Sequence, residues 1–162
     1  MTRRVYFSFH YENDISRAMI VRNSWVIEGQ EVAGFNDQAE FEKVKRQDRK
    51  RIQNWIDTQL KGTSVTVVLI GSETLERDFV CYEIMQSLKK GNGLIGVYIN
   101  KLKDLQGSTS RREDSHVIVG CNSDFEPLYF DEICDGIYDY VAEDGYKNLK
   151  LWIETAAIKH GK

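Results

Sequence analysis

With 162 residues, 41% of them apolar and 29% charged, the chain is long enough for one domain with a substantial core and too short to expect two. Its net charge of −3 lacks the basic excess of a general nucleic-acid binder. No apolar run approaches the about 18 residues of a membrane span. Met1-Thr2-Arg3-Arg4 leads straight into a strand rather than a signal peptide, so a cytoplasmic protein is expected, with neither nucleic acid nor membrane among its partners.

The three cysteines, Cys81, Cys121 and Cys134, have no metal-ligand spacing, and there is no Cys-x-x-Cys or His pair. Free thiols in a reducing compartment are expected, and no metal.

In chain order, Val5-Tyr6-Phe7-Ser8-Phe9 reads as a short strand, and Tyr11 to Asp14 end it and offer helix caps. A helix follows to about Gly29, with Ile15, Ala18, Val21 and Trp25 on its inner face. Val32 to Phe35 is a weaker strand running into Asn36-Asp37. A polar stretch, Gln38 to Asp48, precedes a helical period of Ile52, Trp55, Ile56 and Leu60 closed by Gly62.

Val65 to Ile70 is a β-branched run stopped by Gly71, the pattern of a strand buried on both faces. Val80, Ile84 and Leu88 then form one helical stripe, and Leu94 to Ile99 repeats the strand pattern after Gly91-Asn92-Gly93. This βαβ unit implies a parallel sheet with a right-handed crossover.

Beyond Asn100 the polar stretch from Lys101 to Ser115 reads as a flexible loop, and residues 101–124 as a flexible insertion in a single domain spanning 1–162. Pro127 to Phe130 is a candidate edge strand, since proline fits a strand start. Tyr146, Leu149, Ile153 and Ala157 mark a C-terminal helix. About five mostly parallel strands alternating with helices predict a three-layer α/β, flavodoxin-like fold of order 2-1-3-4-5, with a crevice at the carboxyl ends of strands 1 and 3.

Phe9-His10-Tyr11-Glu12 has no glycine, so neither a Rossmann dinucleotide site nor a P-loop is supported. Strand 3 ends in Gly71-Ser72 without an aspartate, which removes a response regulator's phospho-acceptor. Neither Cys81 nor Ser72 has a His-Asp partner near it in sequence.

Glu83 has two readings. A helix glutamate is ordinarily a solvated residue. Here, however, Phe79, Val80, Gln86 and Ser87 stand three and four positions away, so no same-helix cation pairs with it, and it borders the apolar stripe. His10 is equally open between an ordinary strand-end residue and a crevice-lining one.

Lys43 to Arg51 holds six cations in nine residues, read as a solvated face or as an attractor of a phosphorylated ligand or a partner. Glu113 to Tyr146 holds ten acidic residues and no Lys or Arg, read as solvated loops.

RVYFSFHY at the start, TSVTVVLIGSETLERDFVCYEIMQSLKKGNGLIGVYIN in the middle and YDYVAEDGYKNLKLWI near the end together resemble TIR domains. The likeness is strongest to the group that includes the TIR subunit of Thoeris anti-phage systems. TIR enzymes carry an aromatic residue four positions before a helix glutamate, and Phe79-Val80-Cys81-Tyr82-Glu83 matches with Phe in place of the commoner Trp.

The resemblance implies that Glu83 is the catalytic glutamate of an enzyme that cleaves NAD as its substrate, with no further cofactor required. It also implies that Phe7, Ser8, His10, Tyr11, Asn36, Asp37, Ser72 and Phe79 bind the nucleotide, and that residues 36–49 form a mobile loop. Its further implications are a cyclic or modified ADP-ribose signal, a partner effector reached through that diffusible signal, and a phage-component trigger or TIR self-association. Many TIR domains are non-catalytic adaptors, so an interaction module acting through self-association or partner binding is the alternative.

Overall fold

The computed structural model describes residues 2–34 and 38–162, with residues 38–41 by backbone only. Phe35, Asn36 and Asp37, two of them expected in the nucleotide site, lie outside the described residues.

Strands β1 (Arg4–Phe9), β3 (Val65–Ile70) and β4 (Gly93–Tyr98) form the centre of a parallel sheet, with β2 (Glu31–Ala33) outside β1. Every residue of β3 and β4 is buried, as continuous apolar runs predict for strands covered on both faces.

The fifth position is a correction. Pro127–Tyr129 is indeed a strand (β6), but it pairs antiparallel with β5 (Ile118–Cys121) in a separate two-stranded sheet. The main-sheet edge is β7 (Gly136–Asp139), parallel to β4, and the order is β2-β1-β3-β4-β7. β7 is short and half-buried, so its sequence lacks the apolar run that marks β3 and β4.

The pleat of β1 sorts the two layers. Val5, Phe7 and Phe9 face α1 (Tyr11–Ile27) and α6 (Gly145–Lys159), packing with Ala18, Val21, Trp25, Leu149, Ile153 and Ala157. Tyr6 and Ser8 face the opposite layer, α3 (Arg49–Leu60) and α4 (Asp78–Lys90). There Ile52, Ile56 and Leu60 pack on Tyr6, and Val80 and Ile84 pack on Val68 and Ile70. Tyr146, expected on the inner face of the last helix, points outward, and Trp152 and Ala156 complete that face instead.

Gln38–Lys45, read from sequence as part of a polar stretch, is a short helix, α2. Its Val44 is buried against the Ile52 cluster. Within its described side chains that single anchor is too little to show a period in sequence.

The 101–124 segment is tied to the body by hydrogen bonds. Arg17 donates to the carbonyls of Leu102 and Ser108, each at 2.8 Å, and the Ser110 amide donates to the Asn100 carbonyl at 2.8 Å. Glu113 is buried and accepts from the amides of Thr74 and Leu75 at 2.8 and 2.9 Å. The Tyr98 hydroxyl donates to the Glu113 carbonyl at 2.6 Å.

Candidate functional site

Strands β1 and β3 both end at the same side of the sheet, and a cavity of about 480 Å³ opens there. Its walls come from four places: His10, Tyr11 and Glu12 where β1 turns into α1, Val44 and Lys45 of α2, Ile52 and Ile56 of α3, and Arg77 to Val80 with Glu83 of α4. Apolar groups supply most of the wall and a few charged groups the rim, the usual make-up of a small-molecule site.

Among the described residues, Glu83 is the only carboxylate lining the cavity that is also buried, at 5% exposure. It sits on the stripe beside Val80 and Ile84 and shares that stripe with buried Ser87. Ser8 Oγ donates to Glu83 Oε1 at 3.2 Å. Burial pushes the Glu83 carboxyl up to about 8, against the opposing pull of hydrogen bonds from Tyr6 and Ser8. No cation among the described residues offsets the burial.

The backbone of the same turn is fixed separately. Ser87 Oγ donates to the Glu83 carbonyl at 2.7 Å, and the Thr66 and Ser87 hydroxyls meet at 2.6 Å. Thr66 is the polar interruption in an otherwise apolar β3.

His10 is 8% exposed and sits at the N-cap of α1 without a side-chain capping bond. Burial lowers its pKa, with Arg77 adding to the effect and Asp14, Glu12 and Glu73 opposing it, so a neutral imidazole is favoured. At the cavity mouth Lys45 pairs with Glu12 at 3.5 Å, and Arg49 pairs with Asp78 at 3.6 Å while lying 5.8 Å from the Phe79 ring centroid. These exposed pairs are each worth about 0–1 kcal/mol, so they order the rim without sealing it.

The structure therefore brings together Glu83, His10, Tyr11 and Phe79 around one cavity, with Ser8 joined to them through Glu83. Phe7 is not there: the pleat turns it into the α1–α6 core, because it alternates with Tyr6 and Ser8. Ser72 is half-buried at the end of β3 and does not line the cavity. Tyr6, Arg77, Ile52 and Ile56 were not singled out for the site from sequence. The alternation of β1 carried the signal for Tyr6, since it puts Tyr6 and Ser8 on one face.

The cysteines are free, and burial, with Asp78 and Glu113 adding to it, pushes the Cys81 thiol up to about 11. A thiol held protonated is a poor nucleophile. Among the described residues one group could offer metal ligands, the exposed His116, Asp131 and Glu132. His116 Nδ1 is already within 3.0 Å of Asp131 Oδ1, an ordinary surface ion pair. Among the described residues no helix is long and apolar enough to cross a membrane.

Comparison with known proteins gives the family of the chain. The family model described as "Thoeris protein ThsB, TIR-like domain" matches residues 6–104, from β1 through β4 and on to Asp104. A Bacillus cereus (strain MSX-D12) protein named "Putative cyclic ADP-D-ribose synthase ThsB1" is 33% identical over 94% of this chain and 100% of its own length. The chain belongs to the TIR-like family of the Thoeris protein ThsB.

Proposed function

We propose that the cavity binds NAD and that Glu83 promotes cleavage of its nicotinamide–ribose bond, yielding a cyclic or modified ADP-ribose that activates a partner effector in anti-phage defence. The observation that carries this reading is the buried carboxylate of Glu83 in the wall of the cavity, one helical turn from Phe79. The name of the Bacillus cereus relative supports the same substrate and product class.

The chemistry suits a single carboxylate. When the C1′–N bond breaks, its electron pair goes to the pyridinium nitrogen, and nicotinamide leaves neutral without a general acid. The cost lies in the cationic ribosyl centre, which a nearby anion stabilises most strongly where water is excluded. Capture by water with loss of a proton gives ADP-ribose. Capture by an internal hydroxyl or an adenine nitrogen, again with proton loss, gives a cyclic product, and the exclusion of water decides between them.

Glu83 is neutral in the free protein below pH about 8. A substrate carrying a positive pyridinium favours its ionised form, so binding and ionisation assist each other. His10, Tyr11 and Phe79 line the cavity and in this reading contact the nucleotide.

The test compares wild type with Glu83→Gln for nicotinamide release from NAD in lysates of infected cells, with the product mass recorded. The expected result is loss of release in the variant by at least about 10³-fold and a cyclic ADP-ribose mass from wild type. Equal release from both proteins would sink the assignment.

A second reading, a non-catalytic module working through TIR–TIR contacts, draws on the basic run, whose Lys43, Arg46, Arg49, Lys50 and Arg51 are all exposed.

A further inference from the structure

We infer that Tyr6 and Ser8 are positioning residues, holding the Glu83 carboxylate from the sheet side without touching the ligand. The inference rests on the reading of Glu83 above and changes what the family resemblance implies for Ser8, which was a nucleotide contact.

Geometry separates the two roles. Tyr6 and Ser8 are each 0% exposed and neither lines the cavity, whereas Glu83 does. They project from one face of β1 toward α4, and Glu83 stands between that face and the open space. Ser8 Oγ donates to Oε1 at 3.2 Å, and the Tyr6 hydroxyl, buried on the same face of the strand, pulls the carboxyl's pKa down. A ligand in the cavity would meet the exposed edge of Glu83, while the two hydroxyls hold its other side.

The strand register shows why the neighbouring strand β3 does not take this part. Tyr6 is paired with Thr66 and Ser8 with Val68. Val68 has no polar atom in its side chain, and the Thr66 hydroxyl is engaged with Ser87, which in turn donates to the Glu83 carbonyl. The Thr66–Ser87 pair therefore fixes the helix backbone at Glu83, while Ser8 holds its carboxyl. With no cation acting on Glu83 among the described residues, Tyr6 and Ser8 are the groups that favour its charged form in the free protein.

The experiment uses Tyr6→Phe and Ser8→Ala in the full chain with two readouts. The first needs no substrate: infrared difference titration of the Glu83 carboxyl, taken as each protein minus the same protein carrying Glu83→Gln. Loss of either donor should move the titration midpoint to higher pH by about one unit. The second is steady-state nicotinamide release, where kcat should fall about tenfold to a hundredfold with KM within about twofold, and the acidic limb should move to higher pH.

An unchanged midpoint in both variants overturns the inference. So does a raised KM at unchanged kcat, which would mark direct ligand contacts. If wild type releases no nicotinamide, the proposed activity fails, and the infrared titration alone decides whether the hydroxyls hold the carboxyl. Tyr6→Phe removes one oxygen and keeps the ring's volume, so it remains decisive if Ser8→Ala does not fold.

Discussion

The carboxylate of Asp14 lies directly against the backbone of Gly71, leaving no room for a side chain between the first turn of α1 and the end of β3. Asp14 is buried and accepts from Arg17 Nη1 at 2.9 Å, and Arg17 continues to the carbonyls of Leu102 and Ser108. A chain of contacts thus joins the β1 and β3 ends, which form the crevice, to the segment after β4.

Gly71→Ala should therefore be strongly destabilising, because an added methyl would have to displace a buried, ion-paired carboxylate. A loss of about 2–4 kcal/mol is expected, read as a lower urea midpoint. A midpoint within error of wild type would show that Asp14 can move freely.

Stability should fall as pH rises from about 5 to 8. The folded carboxyl of Glu83 titrates near 8, above its ordinary 4.5, so the folded state binds more protons in that window. The stabilisation is full below 4.5 and is lost as pH rises through 8. Glu83→Gln should flatten this slope and be the more stable protein at pH 8, by on the order of 2–4 kcal/mol. Urea melts of both proteins across pH 5 to 8 check it, and parallel slopes would contradict the buried carboxyl.

Thiol reagents should modify Cys121 first and Cys81 last. Cys121 is exposed, while Cys81 is half-buried, donates to the Leu75 carbonyl at 3.3 Å, and has its pKa pushed up to about 11. Mass spectrometry of partly labelled native protein gives the order. Early labelling of Cys81 would mean that α4 opens readily.

Charge reversal at Arg46 and Arg51 distinguishes the two functional readings. Both side chains are exposed, and neither lines the cavity. The enzymatic reading expects nicotinamide release within about twofold of wild type, as exposed charges couple weakly to the site. An interaction module would lose signalling after the reversal and keep it in Glu83→Gln.

The difference between the two levels is visible along individual strands. β3 and β4 were legible because strands buried on both faces need unbroken apolar runs, and the α4 stripe because a helix packed on one side repeats every three or four residues. β7 was not legible: an edge strand with three half-buried residues and a buried aspartate, Asp139, has no such requirement, and the proline-led β6 drew the assignment instead. Glu83 could be singled out by its lack of a same-helix cationic neighbour, and family resemblance supplied the role proposed for it.

What the sequence by itself determined was therefore local: the parallel βαβ frame, the helix that carries Glu83, and the crevice at the strand ends. Tertiary structure decided what surrounds that carboxyl. Ser8 lies 75 positions from Glu83 in the chain, and only the pairing of β1 with β3 and the packing of α4 across them bring the two within a hydrogen bond. The same pleat sends Phe7 to the opposite core and Ser8 to the carboxylate, since successive strand side chains must face opposite sides of the sheet.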